Sequence, residues 1–565
     1  MTEAAAASAA DLRRGGPKRW LGRAWQDPVL ALGHAAVALF LLGFVVAPLV
    51  AVAFAPGLAD WARVASTPRW RDAGLNTLLL VGLSTTSSLV LGTLYAYAVT
   101  RARVPLRRLF EVAPLVLLVT PSFVSGLAFI LLVGRRGLIT YHLLGLETSV
   151  YGWHGVWLAQ TLSFFPVAYL VLRGVFLAHD AALEQAARGL GASRWRVIST
   201  VTLPLATPGL LAAGLFIAIG VLGDFGNPML VGGRFRVLAT EVYTELTGWA
   251  SVGTSAALGL VLLVPAVLLF VAQQRVQHAT AGRFTTVGGR GSGLPTPLPP
   301  AALRWALFAL CALVALFVAA SQGVVVAGSL TRLWGVDHAF TAEHYQYVLT
   351  RSRPLVNSVR LAATAALLCA AVSSVTAYLV LRTRVPLRRG LDLATLLPAA
   401  VPGTLMGVAY VLVFNRPPLQ LTGTAALIAI AMAASYLPVG YRICAAALQQ
   451  LRASLDESAA NLGASRARAF LTVTVPLTWP AVAAAFAYTF VQAVGTLSTV
   501  IFLVSFDTPL ASVDILNLAA QGKWGRACAL ATALLVVTLA ALGLAYALTG
   551  GRLRPLEAAA GPVRS

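Results

Sequence analysis

Residues 183–205 read Leu-Glu-Gln-Ala-Ala-Arg-Gly-Leu-Gly-Ala-Ser-Arg-Trp-Arg-Val-Ile-Ser-Thr-Val-Thr-Leu-Pro-Leu. Residues 455–477 read Leu-Asp-Glu-Ser-Ala-Ala-Asn-Leu-Gly-Ala-Ser-Arg-Ala-Arg-Ala-Phe-Leu-Thr-Val-Thr-Val-Pro-Leu. Extended to Pro208 and Pro480, 14 of 26 aligned positions are identical, well beyond what shared hydrophobicity produces. Leu183, Ala186, Ala187 and Leu190 fall at i, i+3, i+4 and i+7 and form one stripe of a helix; Leu455, Ser458, Ala459 and Leu462 repeat it. Two turns do not hold a helix alone, so this helix must dock, and small Ala and Ser residues let another surface come close. Glu184, and Asp456 with Glu457, suit a helix N-terminus. Gly191 and Gly463 allow the left-handed residue that ends a helix. Ser193 and Ser465 can cap a following helix, and Pro204 and Pro476 fit the first turn of the apolar helix beyond.

The surrounding chain is a membrane protein. Of its 565 residues, 58% are hydrophobic and 11% charged, against about a quarter charged in soluble domains. Stretches long enough to cross a bilayer, about 20 apolar residues each, recur near 29–55, 75–99, 112–133, 151–177, 206–232 and 252–274. A second set lies near 303–328, 357–381, 391–414, 422–446, 477–505 and 525–549. Residues 281–300 are rich in Gly, Ser and Pro, a linker composition. The expected division is an N-terminal cytoplasmic segment (1–28), a first repeat (29–276), a cytoplasmic linker (277–302), a second repeat (303–550) and a cytoplasmic tail (551–565). The first apolar run is long enough to span and is expected to be retained. With the N-terminus inside, the cytoplasmic segments carry more than twice the Lys and Arg of the external ones, which sets both termini in the cytoplasm. The net charge of +22 is therefore a topology signal, and nucleic-acid binding is not expected.

Matching landmarks run through both halves. Residues 103–108 and 384–389 both read Arg-Val-Pro-Leu-Arg-Arg. Asn76 and Asn357, Pro121 and Pro402, and Gly126 and Gly407 correspond at an offset of 281. Ser163, Pro166 and Tyr169 correspond to Ser435, Pro438 and Tyr441 at an offset of 272, so the loop near 134–150 is nine residues longer in the first half. Parallel six-span repeats imply a pseudo-twofold axis along the membrane normal and a path between the halves.

The spacing in the opening segments resembles the EAA signature of ABC importer permeases. It covers Gln185-Ala186-Ala187, Gly191 and Val201-Thr202-Leu203-Pro204, then Glu457-Ser458-Ala459, Gly463 and Val473-Thr474-Val475-Pro476. Gln185 stands where the motif has an acid, with Glu184 one residue earlier; Ser458 stands for an Ala and Val475 for a Leu. The resemblance implies an all-α polytopic membrane protein of about 12 transmembrane helices in two parallel six-helix permease repeats, like a type I ABC importer. It also implies that Glu184, Gln185, Ala186, Ala187, Gly191 and Pro204, with Asp456, Glu457, Ser458, Ala459, Gly463 and Pro476, form coupling helices. These would seat in two ABC ATPase subunits, and closure of the ATPase dimer would swing the halves apart. A periplasmic solute-binding protein and membrane lipid are the other implied partners, with the bacterial inner membrane as location.

Nothing in the chain reads as an enzyme. Its two lysines are Lys18 and Lys523, and Gly522-Lys523 is followed by Trp524, so the Gly-Lys-Ser/Thr of a P-loop is missing. ATP is expected on partner subunits, with no cofactor bound by this chain. Cys311, Cys369, Cys444 and Cys528 lie inside apolar segments without metal-site spacing, and the seven histidines are scattered, so no metal site is expected. An ion-driven secondary carrier shares the twelve-span layout but would place coupling carboxylates at mid-membrane. The clear acid in a predicted span is Asp224, in Gly-Asp-Phe-Gly-Asn-Pro at 223–228. It is a candidate for lining the pathway or gate, or else for capping a broken helix. Arg173 and Arg442 are expected to snorkel toward the cytoplasm.

A single chain with two EAA copies resembles the ferric-iron, thiamine and phosphonate branch of these permeases. Asp224-Phe225-Gly226-Asn227-Pro228, Val237-Leu238-Ala239-Thr240 and Val500-Ile501-Phe502-Leu503-Val504 resemble the iron(III) permeases. Ferric iron is the leading cargo on that resemblance, with thiamine, 2-aminoethylphosphonate and polyamines behind it.

Overall fold

The computed structural model describes residues 27–548, apart from 148, 179–180, 285–298, 384 and 453. The expected N-terminal segment, the cytoplasmic tail and the centre of the linker lie largely outside the described residues. At the linker's start the structure differs from expectation, because the helix of the sixth span runs on to Phe284.

Eleven described helices are long and apolar enough to cross a membrane. In the first repeat they are Pro28–Ala53, Pro68–Thr100, Ser122–Leu143, Trp153–Ala178, Trp195–Leu222 and Val252–Gln277. In the second they are Ala301–Ser329, Arg353–Arg382, Ala425–Gln450, Arg466–Val494 and Trp524–Leu544, and the pair Arg388–Ala400 with Gly403–Phe414 makes a twelfth bent by 114°.

Two spans depart from the expected continuous rods in both repeats. The third is broken, at Thr120-Pro121 between Arg107–Val119 and Ser122–Val133, and at Val401-Pro402 in the second copy. Proline removes an amide donor and pushes the preceding residue out of the helical region, and Thr120 and Val401 are extended, with ψ of 124° and 122°. The fifth span was expected at 206–232 and 477–505. Its rods instead begin at Trp195 and Arg466 and stop at Leu222 and Val494, each followed by a glycine, Gly223 or Gly495. The apolar residues beyond turn back onto the bundle as Gly226–Val231 and Leu238–Trp249, and as Val500–Phe502 and Ala511–Ala520. Hydrophobicity reports that such residues leave water, not that they cross.

The repeated landmarks make the same contacts twice. Asn76 donates its side-chain amide to the Arg236 carbonyl at 3.0 Å, and Asn357 does so to Pro509 at 3.2 Å. The next residue accepts from a helix N-terminus: the Leu238 amide reaches Thr77 Oγ1 and the Ala511 amide reaches Ser358 Oγ, each at 2.9 Å. These bonds tie the outer end of the second span to the returning segment. Within Arg-Val-Pro-Leu-Arg-Arg, Leu106 and Leu387 both adopt φ of 56°, a backbone that non-glycine residues rarely take.

The first helix of each repeat lies against the other repeat. Tyr410 Oη donates to the Phe44 carbonyl at 2.8 Å, and the Phe44 and Phe414 rings stack at 5.5 Å. Reciprocally, Phe308 packs on Phe110 at 5.7 Å and Phe317 on Phe129 at 6.5 Å. This exchange binds the halves into one body whose main core is continuous across both, with satellite cores around Tyr95 and Tyr169 and around Tyr378 and Tyr441.

Candidate coupling site

Ala181–Gly189 and Ser454–Asn461 are short helices standing before the fifth span. Each ends in a turn through a left-handed glycine, Gly191 at φ +85° and Gly463 at φ +81°. A Cβ at either position would meet nothing within 4 Å, so the backbone angle and not crowding calls for glycine. Ser193 Oγ accepts from the Arg196 amide at 3.4 Å and Ser465 Oγ from the Arg468 amide at 3.2 Å, starting the next helix. That helix passes through a wider turn at Ile198–Thr202 or Phe470–Thr474 before Pro204 or Pro476. The prolines stand in the first turn of the α-helices Leu203–Leu222 and Val475–Val494, as expected, and the wider turn joins those helices to the residues before them in one rod.

What anchors these helices was only half legible. Glu184 accepts from Thr202 Oγ1 at 3.2 Å and lies 4.0 Å from Arg101. Asp456 accepts from Thr474 Oγ1 at 3.3 Å and lies 3.5 Å from Arg382. Each arginine also closes the end of the fourth span. Arg101 Nη2 donates to the Phe176 carbonyl at 2.8 Å, and Arg382 Nη2 to those of Leu448 and Leu451 at 2.8 and 2.6 Å. The acids therefore face the body of the protein, where they hold the short helix down, while Glu457, Ser458 and Ala186 are exposed. Gln185, Ala187 and Ala459 are half-buried. At the far end Leu190 and Leu462 are 90% and 89% exposed, and Trp195 is 79% exposed.

Arg101, Arg382, Thr202 and Thr474 were missed as site residues. The arginines lie two residues before the repeated Arg-Val-Pro-Leu-Arg-Arg, and carrying that alignment back would have found them. Asp27 was also missed. Its carboxylate accepts from the Leu30 amide of its own helix at 3.3 Å and from the Ala467 amide, just past the second short helix, at 2.9 Å. The Ala467 hydrogen bond holds its carboxyl below the ordinary carboxylate value.

Asp224 sits at the opposite end of the fifth span and is 8% exposed. Gln160 Nε2 and Asn227 Nδ2 donate to it at 3.0 Å each, and Ser84 donates to Gln160 Oε1 at 2.8 Å. All of these residues belong to the first repeat, so the geometry is that of a cap locking the broken helix to the fourth span. Arg173 pairs with Glu111 at 3.6 Å, and Arg442 donates to Gln274 at 3.3 Å. Among the described residues no three His, Cys, Asp or Glu side chains converge as metal ligands.

Comparison with known proteins places this architecture. Residues 88–281 and 366–550 match the family described as binding-protein-dependent transport system inner membrane component. The chain is 33% identical to the ferric transport system permease protein FbpB of Actinobacillus pleuropneumoniae, over 82% of this chain and 69% of that one. It is likewise 33% identical to the putative ferric transport system permease protein FbpB 1 of Haemophilus influenzae, over 77% and 70%. The molybdenum transport system permease protein ModB of Escherichia coli is 30% identical over its full length, which spans 39% of this chain. Among solved structures, a bacterial alginate ABC transporter with its periplasmic protein aligns with 47% of this chain and 98% of its own, at 20% identity and a TM-score of 0.40. The chain belongs to the binding-protein-dependent inner-membrane permeases of ABC importers, with two copies of the family's domain fused in one polypeptide.

Proposed function

We propose that this permease carries ferric iron from a periplasmic binding protein into the cytoplasm, driven by two ATPase subunits, one seated on each coupling helix. Both termini lie on the cytoplasmic side, ATP is bound and cleaved on the partners, and this chain holds no cofactor. The observation that carries the two-ATPase reading is the paired anchor: in each repeat an arginine fixes the acid of a short helix to the fourth span and leaves an exposed leucine at its tip. A push on such a helix passes to the fourth and fifth spans through ion pair and hydroxyl and is not absorbed by a loose loop. The iron reading is supported by the relatives named for ferric transport, which align over most of the chain.

Uptake of radiolabelled Fe(III) in cells with and without this chain tests the reading, with thiamine, 2-aminoethylphosphonate, a polyamine and molybdate in parallel. Iron uptake that needs the chain and ATP, and survives collapse of the proton gradient, is expected. ATP-dependent uptake of another solute would replace the cargo and keep the machine.

A further inference from the structure

We propose that the path between the repeats has two chemically unlike walls, and that Tyr488 and Gln492 of the second repeat line it as neutral oxygen donors for a hydrated cation. The cation rests on the iron reading above; the placement of the residues does not. Tyr488, Gln492 and Gly495 fall at i, i+4 and i+7 on the fifth span of the second repeat, so they share one helix face. That face looks at the first repeat, because a Cβ on Gly495 would lie 2.9 Å from Pro121, at the break in the first repeat's third span. Tyr488 and Gln492 are partly exposed, and polar groups at membrane depth are found against protein or water and not lipid. Tyr436 backs them from the fourth span. Its hydroxyl donates to the Gln492 carbonyl at 3.1 Å and pairs with Thr496, and its ring meets that of Tyr488 edge-on at 6.3 Å.

The first repeat builds its matching surface from other chemistry. At the offset of 272, Tyr436, Tyr488 and Gln492 correspond to Phe164, Phe216 and Gly220, and Thr496 to Asp224. The Phe164 ring covers Gly220, since a Cβ there would approach it to 2.6 Å, and Phe216 is exposed. The carboxylate of Asp224 is turned away into its own repeat by Gln160 and Asn227. One wall thus offers phenol and amide oxygens, the donors hard cations favour, and the other offers hydrocarbon. Neutral donors on one side solvate a passing ion without the tight cage that would stop it.

Two measurements on the full chain, assembled with its partner subunits, test this. Tyr488→Cys, Gln492→Cys and, on the opposite helix face, Phe486→Cys are placed in a background with the four native cysteines replaced by alanine. They are then exposed to a membrane-impermeant, negatively charged thiol reagent in inverted vesicles. Modification at positions 488 and 492 but not at 486 is expected; protection of both 488 and 492 overturns the lining. In the native background, Tyr488→Phe and Gln492→Leu at unchanged membrane abundance should each lower Fe(III) uptake roughly threefold to tenfold, the equivalent of one neutral hydrogen bond. Unchanged iron uptake in both variants overturns the donor role. Wild-type chain that imports no Fe(III) overturns the cation and the iron reading together, whereas failed labelling with normal wild-type iron uptake overturns only the wall.

Discussion

Arg382 holds Asp456 at 3.5 Å with Nε while its Nη2 takes the carbonyls of Leu448 and Leu451. One side chain at the end of the second span therefore closes the fourth span and fixes the short helix Ser454–Asn461 that follows it. Arg382→Ala would strand both carbonyls and release the acid, at about 2–4 kcal/mol for charge-assisted bonds. Binding-protein-stimulated ATP hydrolysis should persist while uptake per ATP falls. A double-mutant cycle with Asp456→Asn measures the pair directly, and additivity within ~0.3 kcal/mol would mean the two do not act together.

Leu190 and Leu462 stand almost free of the body, and on the proposed function each is covered by an ATPase subunit. Leu462→Asp should weaken retention of the ATPase subunits roughly tenfold to a hundredfold, the range for one buried leucine. The protein's own melting temperature should hardly move. Co-purification at graded detergent wash reads the first and thermal unfolding the second; a destabilised permease with normal retention would argue against a contact face.

The turn at Gly463 is a backbone requirement, at φ +81° with open space around the Cβ position. Gly463→Val should cost about 1–2 kcal/mol in the left-handed region and uncouple hydrolysis from transport, whereas Gly463→Asn should be milder. Equal transport by the valine variant and the wild type would remove the assigned geometry.

Asp27 joins the first span to the root of the second coupling helix through the Ala467 amide. Because that bond lowers its pKa, its contribution is present above the unfolded carboxylate value and is lost as pH falls through the lower folded value. No effect of this group is expected between about pH 5 and 8. Asp27→Ala should loosen the first span at neutral pH, read as faster amide exchange near residues 28–32 and 466–469. Exchange that changes only at 28–32 would show a local cap and no link to the second repeat.

Much of this molecule could be read from one dimension. Membrane class, duplication and the repeated short helices before the fifth spans follow from composition and self-similarity, because apolar length and helix periodicity act locally. The glycine turns at 191 and 463 were legible for the same reason, since a left-handed residue needs glycine wherever the chain goes next. Tertiary structure decided whether an apolar run crosses or turns back: the rods end at Gly223 and Gly495, and Leu230 and Phe502 in the segments beyond pack against Gly126 and Gly407. It also decided which charges meet. Arg101 and Glu184 are 83 residues apart in the chain, and the fold, not their spacing, places one at the other. Asp224 read as a pathway residue or as the cap of a broken helix, and its bonds from Gln160 and Asn227 are those of a cap, because partners for a buried carboxylate are chosen in space.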